Sequence, residues 1–308
     1  MTVESATHQS EIRYTGTIRL RRNIRSTGRS LRLLAFYVVL SAVAAVFMVP
    51  YVLTLLNSLK PISQIFTQPA WDIPSSLDFG NFEHILLPGD PATGVAPQDF
   101  LRYLGNTALV TVILTVGQVF FSMTGAYAFA RLRFPGRDKL FWLYLLTLMV
   151  PNIVTIIPLY AIVHQMHLLN TYWALFLPYV FGTPYTIFLM RQFFRNIPQE
   201  LIDAGRIDGC SELVVLRKIV LPLSKPVIIT AALIAFVFSW NNFLWPLIAT
   251  NSSNLYVMTV GMANFQSGFG VQWNLLLAGA VVMLLPVLVI FAIFQRHIIQ
   301  SIQLSQVH

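Results

Sequence analysis

An all-α polytopic membrane protein with six transmembrane helices is the fold class this sequence predicts, and three observations carry the prediction. Of 308 residues, 56% are hydrophobic and only 10% are Asp, Glu, Lys or Arg, a balance far from that of soluble domains. The ionisable residues are clustered, which leaves Leu33 to Leu59, Tyr103 to Ala130, Leu140 to Met190 and Pro226 to Gln295 free of charge. A helix rises about 1.5 Å per residue against a hydrocarbon core about 30 Å thick, so each span takes roughly 20 residues. The four blocks then hold one, one, two and two spans.

The first block gives a span over 33–56. It is too long for a secretory signal, contains Pro50 and has no small-residue cleavage site after it, so a retained anchor is expected. The second block gives 104–130. The third divides at the polar turn from His164-Gln165-Met166-His167 to Asn170-Thr171, into spans 140–163 and 172–190. The fourth divides at the polar stretch Thr250 to Trp273, into 226–249 and 274–295. The transmembrane domain is 33–296, with an Arg-rich tail over 1–32, a loop over 191–225 and a second tail over 297–308. Within the spans, Pro50, Pro151, Pro158, Pro178, Pro184, Pro246 and Pro286 each remove a backbone hydrogen bond and tend to kink the helix.

Six spans put both termini on one side, and the distribution of Lys and Arg selects that side. Seven Arg from Arg13 to Arg32, then Arg131, Arg133, Arg137 and Lys139, six cations between Arg191 and Lys225, and Arg296 all fall together. Lys60 and Arg102 fall opposite, so 18 of the 20 cations mark the cytoplasmic face. Orientation and headgroup contact account for the basic balance, and no nucleic-acid partner is expected. The single cysteine, Cys210, excludes an internal disulfide and reads as a small packing residue. His164 and His167 have no cysteine or carboxylate beside them, so a wet turn rather than a metal site is expected. The segment from Asn57 to Arg102 carries prolines in Asp72-Ile-Pro-Ser-Ser-Leu-Asp78 and Leu87-Pro-Gly-Asp-Pro91, and reads as irregular with short helices. Phe79, Phe82 and Ile85 are expected on the membrane surface there, with Asn81 and Glu83 facing water.

No Gly-x-x-x-x-Gly-Lys-Ser/Thr occurs, and no carboxylate or cation lies within a span. An autonomous carrier or channel, or a membrane enzyme, would need charged or metal-binding groups that this pattern lacks. Energy for any transport must therefore come from another chain, and the receiving surface is the segment Asn196 to Pro222. It reads as two short helices. Pro198 suits a first helical turn, Glu200 and Asp203 place negative charge near the positive end of the dipole, and Gly209 terminates the helix. Ser211 then caps a second helix ending before Pro222. Leu201, Ala204 and Gly205 share a face at three- and four-residue spacing, beside a partly acidic stripe of Glu200, Asp203 and Ile207.

Asp203-Ala204-Gly205, then Gly209, then nine residues, then Ile219-Val220-Leu221-Pro222, resembles the EAA loop of ABC importer permeases. The resemblance extends to Arg133-Phe-Pro-Gly-Arg137, Met149-Val-Pro151, Ile157-Pro-Leu-Tyr160, Phe188-Leu-Met-Arg-Gln-Phe-Phe194 and Trp240-Asn-Asn-Phe243. Over residues 33–296 the chain is similar to the smaller permease of carbohydrate systems of the maltose and glycerol-phosphate type. That resemblance implies a type I ABC importer permease fold in the bacterial cytoplasmic (inner) membrane, multi-pass, with both termini cytoplasmic. It implies a transporter subunit rather than an enzyme, with no cofactor of its own, since ATP and Mg are bound by a separate homodimeric ABC ATPase. The other implied partners are a second homologous permease, an extracytoplasmic substrate-binding protein, the lipid bilayer and a carbohydrate substrate, whether sugar, oligosaccharide or amino sugar. Glycerol-3-phosphate or a glycerophosphodiester is the alternative cargo.

On the same resemblance the first short helix is a coupling helix seated in a cleft of the ATPase. The coupling residues are Glu200, Leu201, Asp203, Ala204, Gly205, Asp208, Gly209, Ile219, Leu221 and Pro222. Asp203 replaces the usual Glu, one methylene shorter, and Gly205 replaces the second Ala. The tail also lacks the glycine that relatives often carry. In the fifth span Ser239, Trp240, Asn241, Asn242 and Trp245 supply the amides and aromatic faces that bind sugars, and they either line the pathway or bond to neighbouring helices. The charge-free loop Asn251 to Trp273 is either a contact for the binding protein or a plain connector.

Overall fold

The computed structural model describes residues 32–87, 99–263 and 272–304, with backbone alone beyond Arg296. Every regular element among them is helical. The chain divides into two units after Leu56. Helix α1, Arg32–Ser58, is a continuous 27-residue helix of mean hydropathy 2.4, long enough to span a membrane by itself. It matches the first expected span within two residues and carries Pro50 inside it without a break.

In the second unit, two short helices, α2 (Ile62–Thr67) and α3 (Gly80–Leu86), precede α4, Phe100–Arg131. Helix α4 begins where the Asp99 carboxylate accepts the Arg102 amide, a side-chain cap on an otherwise orphaned donor. The charge-free run then keeps it unbroken for 32 residues, about 48 Å at 1.5 Å per residue. Next come α5 (Arg137–Leu146), α6 (Asn152–Gln165), α7 (Tyr172–Phe176) and α8 (Pro184–Arg195). The loop region forms α9 (Gln199–Ile207), α10 (Glu212–Val215), a π-helical turn (Leu216–Val220) and α11 (Leu221–Leu223). The chain closes with α12 (Lys225–Trp240), α13 (Leu244–Ala249), α14 (Met258–Ala263) and α15 (Trp273–Leu304).

Three expected spans are broken rather than continuous, two of them at prolines that deny the helix a bond. The 140–163 segment turns by 101° between residues 137–149 and α6, at Pro151. The 172–190 segment consists of α7, a non-helical stretch over 177–183 containing Pro178 and Gly182, and α8 with Pro184 in its first turn. The 226–249 segment breaks after Trp240, where Asn241 to Phe243 separate α12 from α13. Pro158 and Pro286, by contrast, lie inside α6 and α15. The C-terminal boundary also moves: the α15 backbone runs through Leu304, so most of the expected tail over 297–308 continues the last helix. The N-terminal tail, the Leu87-Pro-Gly-Asp-Pro91 turn beyond Leu87, and residues 264–271 lie outside the described residues.

Helix α3 corrects the expectation for Phe79, Phe82 and Ile85. Ile85 is buried in a cluster with Phe100, Tyr103, Met258 and Leu275, and Phe82 packs against that cluster. Asn81 turns inward as well, donating to the carbonyls of Ser58 and Lys60 and accepting from Asn274. An amide that ties three segments together earns burial that its polarity alone would not predict. Only Phe79 remains outside, 61% exposed.

Close approach elsewhere depends on small residues. A Cβ added to Gly182 would lie 2.7 Å from the amide nitrogen of Ser122 on α4, and one added to Gly125 would lie 3.1 Å from Ile187 Cδ1 on α8. The largest core cluster sits around the Arg131 end of α4, joining Ala126 and Tyr127, Met190 and Phe194 of α8, and Val227 and Ala231 of α12 to Ile202, Val215, Leu216 and Val220 of the loop.

Candidate functional site

The loop from Pro198 to Ser224 folds as a helix, a reversal and a second, bent helical segment. Pro198, with φ −53° and ψ 133°, precedes the first helical residue of α9. The helix ends in a paired motif: the Gly209 amide donates to the Arg206 carbonyl and the Cys210 amide to the Gly205 carbonyl, each at 3.0 Å. That closure needs a left-handed residue after the cap, and Gly209 supplies it at φ +77°. Ser211 occupies the N-cap of α10 in an extended conformation, but its side chain makes no capping hydrogen bond. The second helical segment does not stop before Pro222. The turn before Pro222, which has no N–H, widens to the π form, with the Leu221 amide reaching back to Leu216, and helix continues through Leu223.

The ten expected coupling residues separate into two sets. Glu200, Leu201, Asp203, Ala204, Asp208, Gly209 and Pro222 are exposed. Gly205 is buried at the core-side edge of the face it shares with Leu201 and Ala204, and an added Cβ would meet Ile219 Cδ1 at 2.7 Å. Its smallness thus serves the packing of α9 on the π turn within this chain. Ile219 and Leu221 are half-buried against the core cluster. The outward face of the loop carries Leu201, Ala204, Ile207 and Leu213, with Ile207 86% exposed and Leu213 72% exposed. Glu200, Asp203 and Asp208 flank it. The result is an apolar ridge with an acidic border.

Residues not singled out in the sequence tie this loop to α4. The Tyr127 hydroxyl donates to Glu212 Oε2 at 2.5 Å, and Arg131 Nη1 donates to Gln199 Oε1 at 2.7 Å. Gln199 Nε2 donates to Asp203 Oδ1 at 2.9 Å, Arg206 Nη1 to the same oxygen at 3.3 Å, and Arg206 Nε to Glu212 Oε1 at 2.9 Å. These bonds close a ring that leaves α4 at Tyr127 and returns at Arg131, one helical turn later. Arg131 also donates to the carbonyls of Phe194 and Ile197, which satisfies acceptors at the end of α8. Partial desolvation lowers the Arg206 pKa, but its bonds to Glu212 and Asp203 outweigh this and hold it above the ordinary guanidinium value. The ring is therefore permanently charged on its cationic side.

Arg191 makes a second junction. Its guanidinium lies 3.9 Å from the centroid of the Phe141 ring, donates to the Phe129 carbonyl at 3.2 Å and approaches Asp138 at 3.4 Å. The ends of α4, α5 and α8 meet there.

The expected pathway residues lie around the break between α12 and α13. Ser239 is buried beside Thr111 Oγ1 at 3.4 Å, Trp240 Nε1 donates to the Met283 carbonyl and Trp245 Nε1 to the Ala174 carbonyl. These three bond to neighbouring helices. Asn241 is exposed, with its amide donating to Val237 of its own helix, and the Asn242 carbonyl accepts from Thr259. Among the described residues no group of three or more His, Cys, Asp or Glu is arranged to hold a metal ion.

Replacing Gly209 with valine forces a β-branched residue to positive φ at a cost of about 1–3 kcal/mol, so the purified protein should melt several degrees lower. An unchanged melting temperature in detergent would show that the reversal tolerates another backbone path.

The family described as binding-protein-dependent transport system inner membrane component matches residues 118–304. The arabinooligosaccharides transport system permease protein AraQ of Halalkalibacterium halodurans is 32% identical over 267 residues, 86% of this chain and 92% of that protein. The sn-glycerol-3-phosphate transport system permease protein UgpE of Yersinia pestis is 35% identical over 242 residues, 78% of this chain and 85% of that protein. A chain in the crystal structure of a bacterial ABC transporter involved in the import of the acidic polysaccharide alginate superposes with a TM-score of 0.73 at 20% identity, covering 86% of this chain and 95% of that one.

Proposed function

Because the chain belongs to the family of inner-membrane components of binding-protein-dependent transport systems, we propose that it is one of two permease subunits of an ATP-driven importer and that α9 is its coupling helix. The carrying observation is the ridge of Leu201, Ala204 and Ile207, set outward by the Gly209 reversal while Ile202 and Gly205 hold α9 to the core. A homodimeric ABC ATPase that binds ATP and Mg occupies that ridge. A second permease and an extracytoplasmic binding protein complete the assembly.

Six crossings follow if α1, α4, α5 with α6, α7 with α8, α12 with α13, and α15 each count as one, the middle three broken. The 18-to-2 distribution of cations puts α9, the Arg131 end of α4 and both termini in the cytoplasm.

The cargo is a carbohydrate, whether sugar, oligosaccharide or amino sugar. Supporting this reading are the arabinooligosaccharide relative and the absence of Lys or Arg from all four apolar blocks of the sequence, whereas a phosphate-bearing cargo is best held by cations. The glycerol-3-phosphate relative favours the second reading. Reconstituting the complex with its binding protein and offering labelled arabino-oligosaccharide or sn-glycerol-3-phosphate decides between them. ATP-dependent uptake of the oligosaccharide alone is the expected result, and uptake of the phosphate ester alone would reverse the assignment.

A further inference from the structure

Helix α4 runs for 32 residues without a break, and each of its ends is held by a separate polar cluster. At the Arg131 end the clamp is the ring through Glu212, Arg206, Asp203 and Gln199. At the other end Arg102 Nη1 donates to Asn254 Oδ1 at 2.7 Å, and Asn106 Nδ2 donates to the carbonyls of Asn254 and Tyr256 at 2.8 and 2.9 Å. The Met258 amide donates to Thr107 Oγ1 at 2.8 Å, and Gly261 lies so close to the Tyr103 ring that a Cβ there would collide with it. Asn106 and Thr107 are buried, 5% and 2% exposed, so these bonds are shielded from competing water.

We propose that α4 is a rigid connecting rod between the outer segment Asn251–Ala263 and the coupling loop, with Thr107 and Tyr127 as the positioning residues at its two ends. The proposal rests on the importer reading above. Docking of the binding protein against the outer segment displaces Tyr256 and Met258, and the buried bonds to Asn106 and Thr107 oblige α4 to follow. An unbroken helix has no soft point at which to absorb that displacement, unlike the broken α5–α6, α7–α8 and α12–α13 segments. The inner ring then fixes α9 and α10 to α4, so the ridge on α9 moves with it. Coupling runs equally in reverse, from the ATPase to the outer segment, because linkage between two sites is reciprocal.

The test uses the reconstituted complex of both permeases and the ATPase, with the binding protein added or omitted. Thr107→Val and Tyr127→Phe preserve shape and each removes one of these bonds. In both, copurification of the ATPase and its basal hydrolysis should stay at the wild-type level. Stimulation of hydrolysis by the loaded binding protein should fall about fivefold or more, the lower end of ordinary coupling factors. A purely structural role would lower assembly and basal hydrolysis together, and that outcome, like an unchanged stimulation in both variants, overturns the proposal while the importer reading stands. A wild-type complex that shows no stimulation at all overturns the importer reading and the rod with it.

Discussion

Ile207→Asp should abolish copurification of the ATPase and lower uptake at least tenfold, with membrane insertion unaffected. Ile207 is 86% exposed on a helix facing water, so it contributes almost nothing to the fold of this chain, and its aliphatic surface has a use only against a partner. A carboxylate buried in that contact without a matching cation costs about 2–5 kcal/mol, and each 1.4 kcal/mol is a factor of about ten in affinity. The geometry also ranks this variant above Asp203→Ala. Asp203 already accepts from Gln199 and Arg206 within the chain, so its truncation disturbs an internal ring as well as a border of the ridge. Co-elution on size-exclusion chromatography and ATP-driven uptake in proteoliposomes measure both effects. Wild-type assembly of Ile207→Asp would remove α9 from the contact.

Gly182→Ala should sharply lower folded yield. The added Cβ would lie 2.7 Å from the Ser122 amide nitrogen and 2.9 Å from its Cα, and backbone within a helix cannot swing aside as a side chain can. Overpacking of this kind typically costs about 1–3 kcal/mol, and the junction it would open also carries the bond from the Tyr144 hydroxyl to the Gly182 carbonyl. A marked drop in melting temperature and in folded yield is expected. Gly205→Ala is the internal control: its methyl would collide with Ile219 Cδ1, the movable end of a side chain, and touch Val215 Cγ2 at an ordinary 3.6 Å, so near-normal yield should result. Equal yields for the two variants would show that α4 and the 177–183 stretch are not tightly packed.

The sequence was most legible where composition alone decides the structure. Charge-free blocks located α1, α4 and α15 to within a few residues apart from the C-terminal extension of α15, because a long apolar run without a break has one helical solution in lipid. The breaks within the other spans were visible only as prolines, since a proline removes a hydrogen bond but does not say whether its neighbours re-form the helix, as around Pro158, or turn it through 101°, as at Pro151. In the loop, Gly209 announced its positive φ and Asp203-Ala204-Gly205 announced the family. Which face of α9 turns outward did not follow from spacing: Leu201, Ala204 and Gly205 are close on a helical wheel, yet Ile202 and Gly205 take the core side because Val215 and Ile219 pack against them. The ring was missed because Tyr127 and Arg131 lie far in sequence from the loop residues that complete it. The signal available was Tyr127 and Arg131 four residues apart at the end of a charge-free span, one polar stripe with nothing yet to bind. The expected pathway residues were least legible, since buried indoles and hydroxyls bond neighbouring helices with the same groups that would bind a sugar.

The most direct test of the central claim is photocross-linking from position 207 in the assembled complex, with position 133 as the comparison. Arg133 is also exposed, in the turn between α4 and α5. If α9 seats in the ATPase, a photoreactive side chain at 207 yields an adduct of this chain with the ATPase and one at 133 yields far less. An adduct from 133 with none from 207 would contradict the account.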